Sequence, residues 1–73
     1  METTKTRNVE LWVHTTSGIE FEIIDVKTKE SLTGGRVFWC TDEEAEWRDA
    51  DGVDYFSKKI KEKGWVLEGI AWS

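Results

Sequence analysis

VELWVHTTSGIEFEI, running from Val9 to Ile23, decides the fold of this 73-residue chain. Its first half sets Val9, Leu11 and Val13 against Glu10, Trp12 and His14. A strand turns successive side chains to opposite faces, so a period of two puts the three aliphatic residues on one side of a sheet. The second half repeats the pattern, with Ile19, Phe21 and Ile23 alternating with Glu20 and Glu22. Between them, Thr15-Thr16-Ser17-Gly18 is turn chemistry: hydroxyls that bond nearby backbone, then a glycine that tolerates positive φ. Two alternating runs joined by a short glycine-ended turn predict a β-hairpin. Beyond Ile23 the phase slips, because Ile24 and Val26 are apolar too. A bulge, or burial of both faces, is the expected cause.

Downstream of the hairpin, Lys27 to Thr33 is polar and Gly34-Gly35 marks a break or tight turn. Arg36-Val37-Phe38-Trp39-Cys40 is β-rich and mostly apolar, which predicts a third strand in the centre of the sheet. Thr41-Asp42-Glu43-Glu44 matches a capping box, with threonine at the N-cap and glutamate three residues on. Acids in a first helical turn also suit the helix dipole. Gly52 is expected to interrupt the helix that starts here. Val53, Phe56 and Ile60 then recur at helical spacing, with Lys58, Lys59, Lys61 and Lys63 mostly on the far side. Gly64 stands where a C-terminal cap belongs. Trp65 to Trp72 reads as a last strand, and its loose alternation suggests burial on both faces. The order β-β-β-α-β predicts an α+β fold: a small, mostly antiparallel sheet of about four strands, with one helix or two short helices packed on one face. Residues 1–73 make a single domain, with residues 1–7 a disordered N-terminal tail.

A chain this short buries only about 60 % of the surface its unfolded form exposes. Small scaffolds often add disulfides or a metal. One cysteine forbids an internal disulfide, and one histidine makes the usual cysteine/histidine zinc site unavailable. The substitutes are five tryptophans, three phenylalanines and a tyrosine, each bringing a large apolar area. A lone cysteine, no apolar N-terminal segment and no run long enough to span a bilayer point to the cytoplasm of a bacterium or of an infected host cell.

The net charge of −5 is unevenly placed. Residues 42–54 hold seven acids and Arg48, a local charge of −6, whereas residues 55–73 hold four lysines and two glutamates. Direct nucleic-acid binding usually needs the opposite balance, because lysine and arginine on phosphates supply its affinity. Lys58, Lys59, Lys61 and Lys63 are read instead as a solubilising helix face.

The sequence offers three kinds of candidate site. Asp49-Ala50-Asp51-Gly52 resembles part of a calcium loop, but aligning Gly52 with the invariant glycine puts Trp47 at the first ligand position and Lys58 at the last. No metal or other cofactor is expected. His14 and Cys40 are the one histidine–cysteine pair available for nucleophilic catalysis, and only if the fold brings them together. The plainer expectation is an exposed His14 beside Trp12 and a Cys40 that packs as a small buried hydrophobe. The chain is therefore not expected to be an enzyme. Among the tryptophans, Trp39 is expected in the core and Trp65 near the helix end.

What remains is a contact surface. Tryptophan and arginine are enriched at binding hot spots, so Trp47-Arg48 inside the acidic run is the sharpest clue. The expected partner-binding set is Glu43, Glu46, Trp47, Arg48, Asp49, Asp51 and Asp54. Its partner would be a protein with a basic groove, such as a nucleic-acid-processing protein whose phosphate site an acidic surface can block. Small inhibitors carried by bacteriophages share this composition. The alternative is a homo-oligomer in which Trp12, His14 and Trp72 line an interface or stack on a nucleotide or other flat ligand.

Overall fold

The computed structural model describes residues 7–15, 18–41, 43 and 45–72, with the side chains of 45–49 outside the described set. The elements are β1 (Asn8–His14), β2 (Ile19–Asp25), β3 (Val37–Cys40), α1 (Ala45–Glu62) and β4 (Val66–Trp72). The four strands form one sheet in the order β3-β2-β1-β4, and the helix covers one face, giving the expected α+β class. The pairs β1·β2 and β2·β3 are antiparallel, whereas β1·β4 is parallel. By these directions β3 and β4 also run parallel, and α1 carries the chain from one edge of the sheet to the other.

The β1–β2 hairpin keeps one register throughout, from His14 opposite Glu20 to Val9 opposite Asp25. Its inward rows are Val9, Leu11, Val13 and Ile19, Phe21, Ile23, all buried. Gly18, at φ 105°, makes the sharp entry into β2, and a Cβ there would stand 2.7 Å from the Cys40 carbonyl oxygen. The slip expected after Ile23 is absent from the pairing. Ile24 simply lies on the other face, half-buried, in a single bridge to Ser31. Leu32 N–H then donates to the Ile23 carbonyl at 2.7 Å. The far end of β2 is thus closed by residues 31–32 and the near end by β3.

Two strand assignments need correction. β3 is an edge strand of four residues, not a central one. Its apolar composition reflects a bulge in the β2·β3 pairing between Glu20 and Ile19. The bulge lets Trp39 as well as Cys40 reach the helix layer, while Phe38 is left outside. β4 is the other edge, and its seven residues are half-buried or exposed rather than buried on both faces. Its register shifts at Glu68, which has no partner between the pairs Val9–Leu67 and Glu10–Gly69.

α1 is one continuous helix, so Gly52 does not interrupt it. The glycine is there for space. A Cβ at Gly52 would sit inside van der Waals contact with the Phe21 ring and 3.0 Å from Trp39 Nε1. Phe56 and Ile60 follow on the same face and are buried, and Phe21 and Phe56 pack with ring centroids 4.9 Å apart. The helix is assigned from Ala45, three residues after the expected start. Asp42 and Glu44 of the capping box lie outside the described residues, as do Thr16 and Ser17 of the hairpin turn. The helix end follows expectation. Gly64 takes φ 79°, its N–H donates to Lys61 O at 2.9 Å, and Trp65 N–H donates to Ile60 O at 3.1 Å. These two bonds are the Schellman pattern. Trp65 packs against the core beside the cap, with Arg7 and Lys63 each 5.4 Å from its ring centroid.

Asp25 closes β2 and is a buried carboxylate that sequence reasoning did not single out. Its Oδ1 accepts Lys27 N–H and Thr28 N–H, both at 2.8 Å, and Oδ2 is 3.6 Å from Arg7 Nε. The carboxylate thereby shapes the turn that carries Lys29 at φ 67°. The Thr28 N–H bond above all, helped by Lys27 N–H, the Thr28 hydroxyl and Arg7, holds the Asp25 carboxyl below its ordinary 3.8, against the opposing effect of burial. A depressed folded-state pKa stabilises above the unfolded value and ceases to do so as pH falls through the folded value. Asp25→Asn keeps an acceptor but loses the charge. It should therefore melt below the wild type at pH 7, and the gap in melting temperature should close as the solution is acidified below about pH 4. A gap unchanged by acid would show that the charge plays no part.

Candidate functional site

The acidic run is carried by the start of α1, which follows the edge strand β3. Glu43 precedes the helix, and Asp51 and Asp54 lie one turn apart on it; all three are exposed. Among the described residues none of the three forms an ion pair. The side chains of Glu46, Trp47, Arg48 and Asp49 lie outside the described residues. The backbone of residues 45–54 is helical throughout, so Asp49, Asp51 and Gly52 follow a helical path and cannot wrap a cation as a calcium loop does. Among the described residues no three of His, Cys, Asp and Glu converge.

Farther along the helix, opposite charge takes over. Asp51, Asp54, Tyr55, Ser57, Lys58 and Lys61 line a depression of about 480 Å³. All six come from the outer surface of a single helix, so it is a shallow groove between side chains and not an enclosed pocket. Lys59 pairs with Glu62 at 3.8 Å and lies 5.4 Å from the Tyr55 ring centroid. Tyr55 in turn packs on Trp39 with centroids 5.5 Å apart, which leans this flank of α1 toward β3.

The second predicted group, Trp12, His14 and Trp72, is divided by the sheet. Trp12 and His14 belong to the face without the helix. Their rings stack at 6.1 Å, Trp12 Nε1–H donates to Glu10 Oε1 at 3.2 Å, and His14 Nε2 lies 3.1 Å from the Glu22 carboxylate as its donor. His14 is buried, only 7 % exposed, which corrects the expectation of an exposed residue; stacking on Trp12 and the Glu22 bond draw it against the sheet. Trp12 is itself only half-exposed. Trp72 pairs with Val13, an inward residue, and so stands on the helix side, 56 % exposed. The three residues do not form one aromatic platform. His14 and Cys40 are likewise on opposite faces, since His14 pairs with Glu20 and Cys40 with Ile19. Cys40 is buried in the core, as expected.

Sequence reasoning singled out Trp72 but missed the other exposed apolar residues of β4, Val66 and Ile70. Val66, Ile70 and Trp72 are exposed along one open sheet edge. The signal is the weak alternation of Val66 to Trp72, which predicts burial on both faces but marks a strand that the helix only partly covers.

No helix among the described residues is long and apolar enough to cross a membrane. No protein-family model matches the chain, and neither a curated protein nor a solved structure is detectably similar to it.

Proposed function

We propose that this is a non-enzymatic protein-interaction module, acting in the cytoplasm as an inhibitor or adaptor, which engages a basic partner through the acidic start of α1. The observation that carries the reading is the row Glu43, Asp51 and Asp54, exposed and without ion pairs among the described residues. Carboxylates that pair with no described residue keep their field for an incoming one, which steers a basic surface and speeds encounter. The helix holds Asp51 and Asp54 on a rigid frame, so binding orders little of that part of the chain. A basic groove made for phosphates is the partner chemistry that such a row fits. The separation of His14 from Cys40 supports the non-enzymatic part of the reading.

The test is a pull-down from a host-cell lysate beside a variant with Glu43→Gln, Glu46→Gln, Asp49→Asn, Asp51→Asn and Asp54→Asn. A partner held by the wild type should be lost by the variant. Its affinity for the wild type should fall about tenfold or more between low and high salt. Retention of the same proteins by both forms, with no dependence on salt, would sink the reading.

A further inference from the structure

We infer that the open edge of β4 is a self-association surface, where a second copy of this chain adds its own β4 antiparallel across a two-fold axis to continue the sheet. Of the two sheet edges, β3 offers only four residues. β4 offers seven, with no proline and with Glu68 as its one charge, and the Glu68 carboxylate is engaged by Asn8 Nδ2. Long apolar edges of this kind are what soluble proteins usually blunt, because the unpaired N–H and C=O groups template another strand. Here the shift at Glu68 irregularises the first part of the edge, but Gly69 to Trp72 pairs regularly with Glu10 to Val13.

Side chains on the helix side complete the surface. Ile70 pairs with Leu11 and Trp72 with Val13, so both face the helix layer, yet they are 40 % and 56 % exposed. The helix leaves a shelf over β4. An axis at Ala71 sets Ile70 of each copy opposite Trp72 of the other, and the shelf becomes a closed apolar strip between two helices. On the other face, Gly69 and Ala71 offer no bulk to oppose the approach.

The charges on α1 argue for a second copy as the occupant. Tyr55 leans toward β3, so Ser57, about 200° around the helix, marks the flank on the β4 side; Asp54 and Lys61, about one turn before and after it, stand roughly 60° and 40° farther round on the outer surface. Phe56 packs on Phe21, which pairs with Val13, itself level with Trp72. An axis at Ala71 therefore meets α1 near Ser57. Helices related by that axis run antiparallel, which brings Asp54 of each level with Lys61 of the other. One chain thus carries both halves of a complementary pattern. The two acidic helix starts end up at opposite ends of the dimer, and Asp54 is the one carboxylate this inference shares with the partner reading above. A standard interface takes about 800 Å² from each subunit, roughly one sixth of the 4834 Å² surface of this chain.

Sedimentation velocity of the purified chain over a range of concentrations tests this directly. The expected result is a concentration-dependent shift from 8.5 kDa to twice that mass. Ile70→Glu with Trp72→Glu, both at exposed positions, should keep the native circular dichroism and weaken association about 100-fold. Lys61→Glu alone should weaken it a few-fold, and Asp54→Lys with Lys61→Glu should restore it. A wild type that stays monomeric at high micromolar concentration would overturn the proposal. So would a dimer indifferent to the Ile70 and Trp72 changes, or a charge reversal that brings no recovery.

Discussion

Gly52→Ala will destabilise this domain, although glycine-to-alanine in a helix interior ordinarily stabilises by about 1 kcal/mol. The sign reverses because the added methyl has no room. It would press on the Phe21 ring, and that ring cannot retreat. Phe21 is fully buried, tilted against Phe56 at 4.9 Å and edge-on to Trp39 at 5.9 Å. Overpacking of this kind costs about 1–3 kcal/mol. In a domain of this size each kcal/mol moves the midpoint by about 4–8 °C. Thermal unfolding followed by circular dichroism should therefore show a lower midpoint for Gly52→Ala. A higher one would mean that α1 does not approach β2 as described.

Phe21→Ala should have the larger effect. Truncating a buried phenylalanine costs about 3–5 kcal/mol, while a chain of this length has a total stability of about 4–11 kcal/mol at 0.05–0.15 kcal/mol per residue. Loss of Phe21 removes the ring on which Phe56, Trp39 and the Gly52 backbone all rest, so the thermal midpoint should fall by about 12–40 °C. The two changes are coupled. Once the Phe21 ring is gone, an alanine at position 52 fills space instead of contesting it. Gly52→Ala should then be neutral or stabilising in a Phe21→Leu background, which is mild enough to keep the domain folded. Denaturant titration of the four proteins gives the coupling; additive effects would show that Gly52 and Phe21 do not touch.

Which features could be read in the sequence follows from the range of the forces involved. The β1–β2 hairpin was legible because its alternation and its Gly18 turn are local. The Gly64 cap was legible for the same reason, since its bonds span five residues. Gly52 was misread because a glycine that breaks a helix and a glycine that admits a neighbour look the same until Phe21 is placed over it. The positions of β3 and β4 are not legible in the sequence, because apolar content does not measure centrality. In β3 a bulge turns consecutive residues inward, and in β4 the helix falls short of the edge. At the site, the exposure of Glu43, Asp51 and Asp54 follows from an acidic, polar helix face. The burial of His14 does not, because it depends on Glu22 across the strand pair and on Trp12 beside it.

The parallel pairing of β1 with β4 has a kinetic consequence. Asn8 lies opposite Val66, so the sheet is completed by contacts that close a loop of most of the chain. The hairpin can form in about 1–10 μs, but until β4 arrives β1 is an edge with a bare row of valine and leucine. Topologies dominated by such distant pairings fold in milliseconds to seconds rather than microseconds. This small domain should accordingly fold slowly for its length, with Ile70, Leu67 and the α1–β4 turn setting the rate. During that interval the exposed β1 strand is the segment most open to capture by another chain.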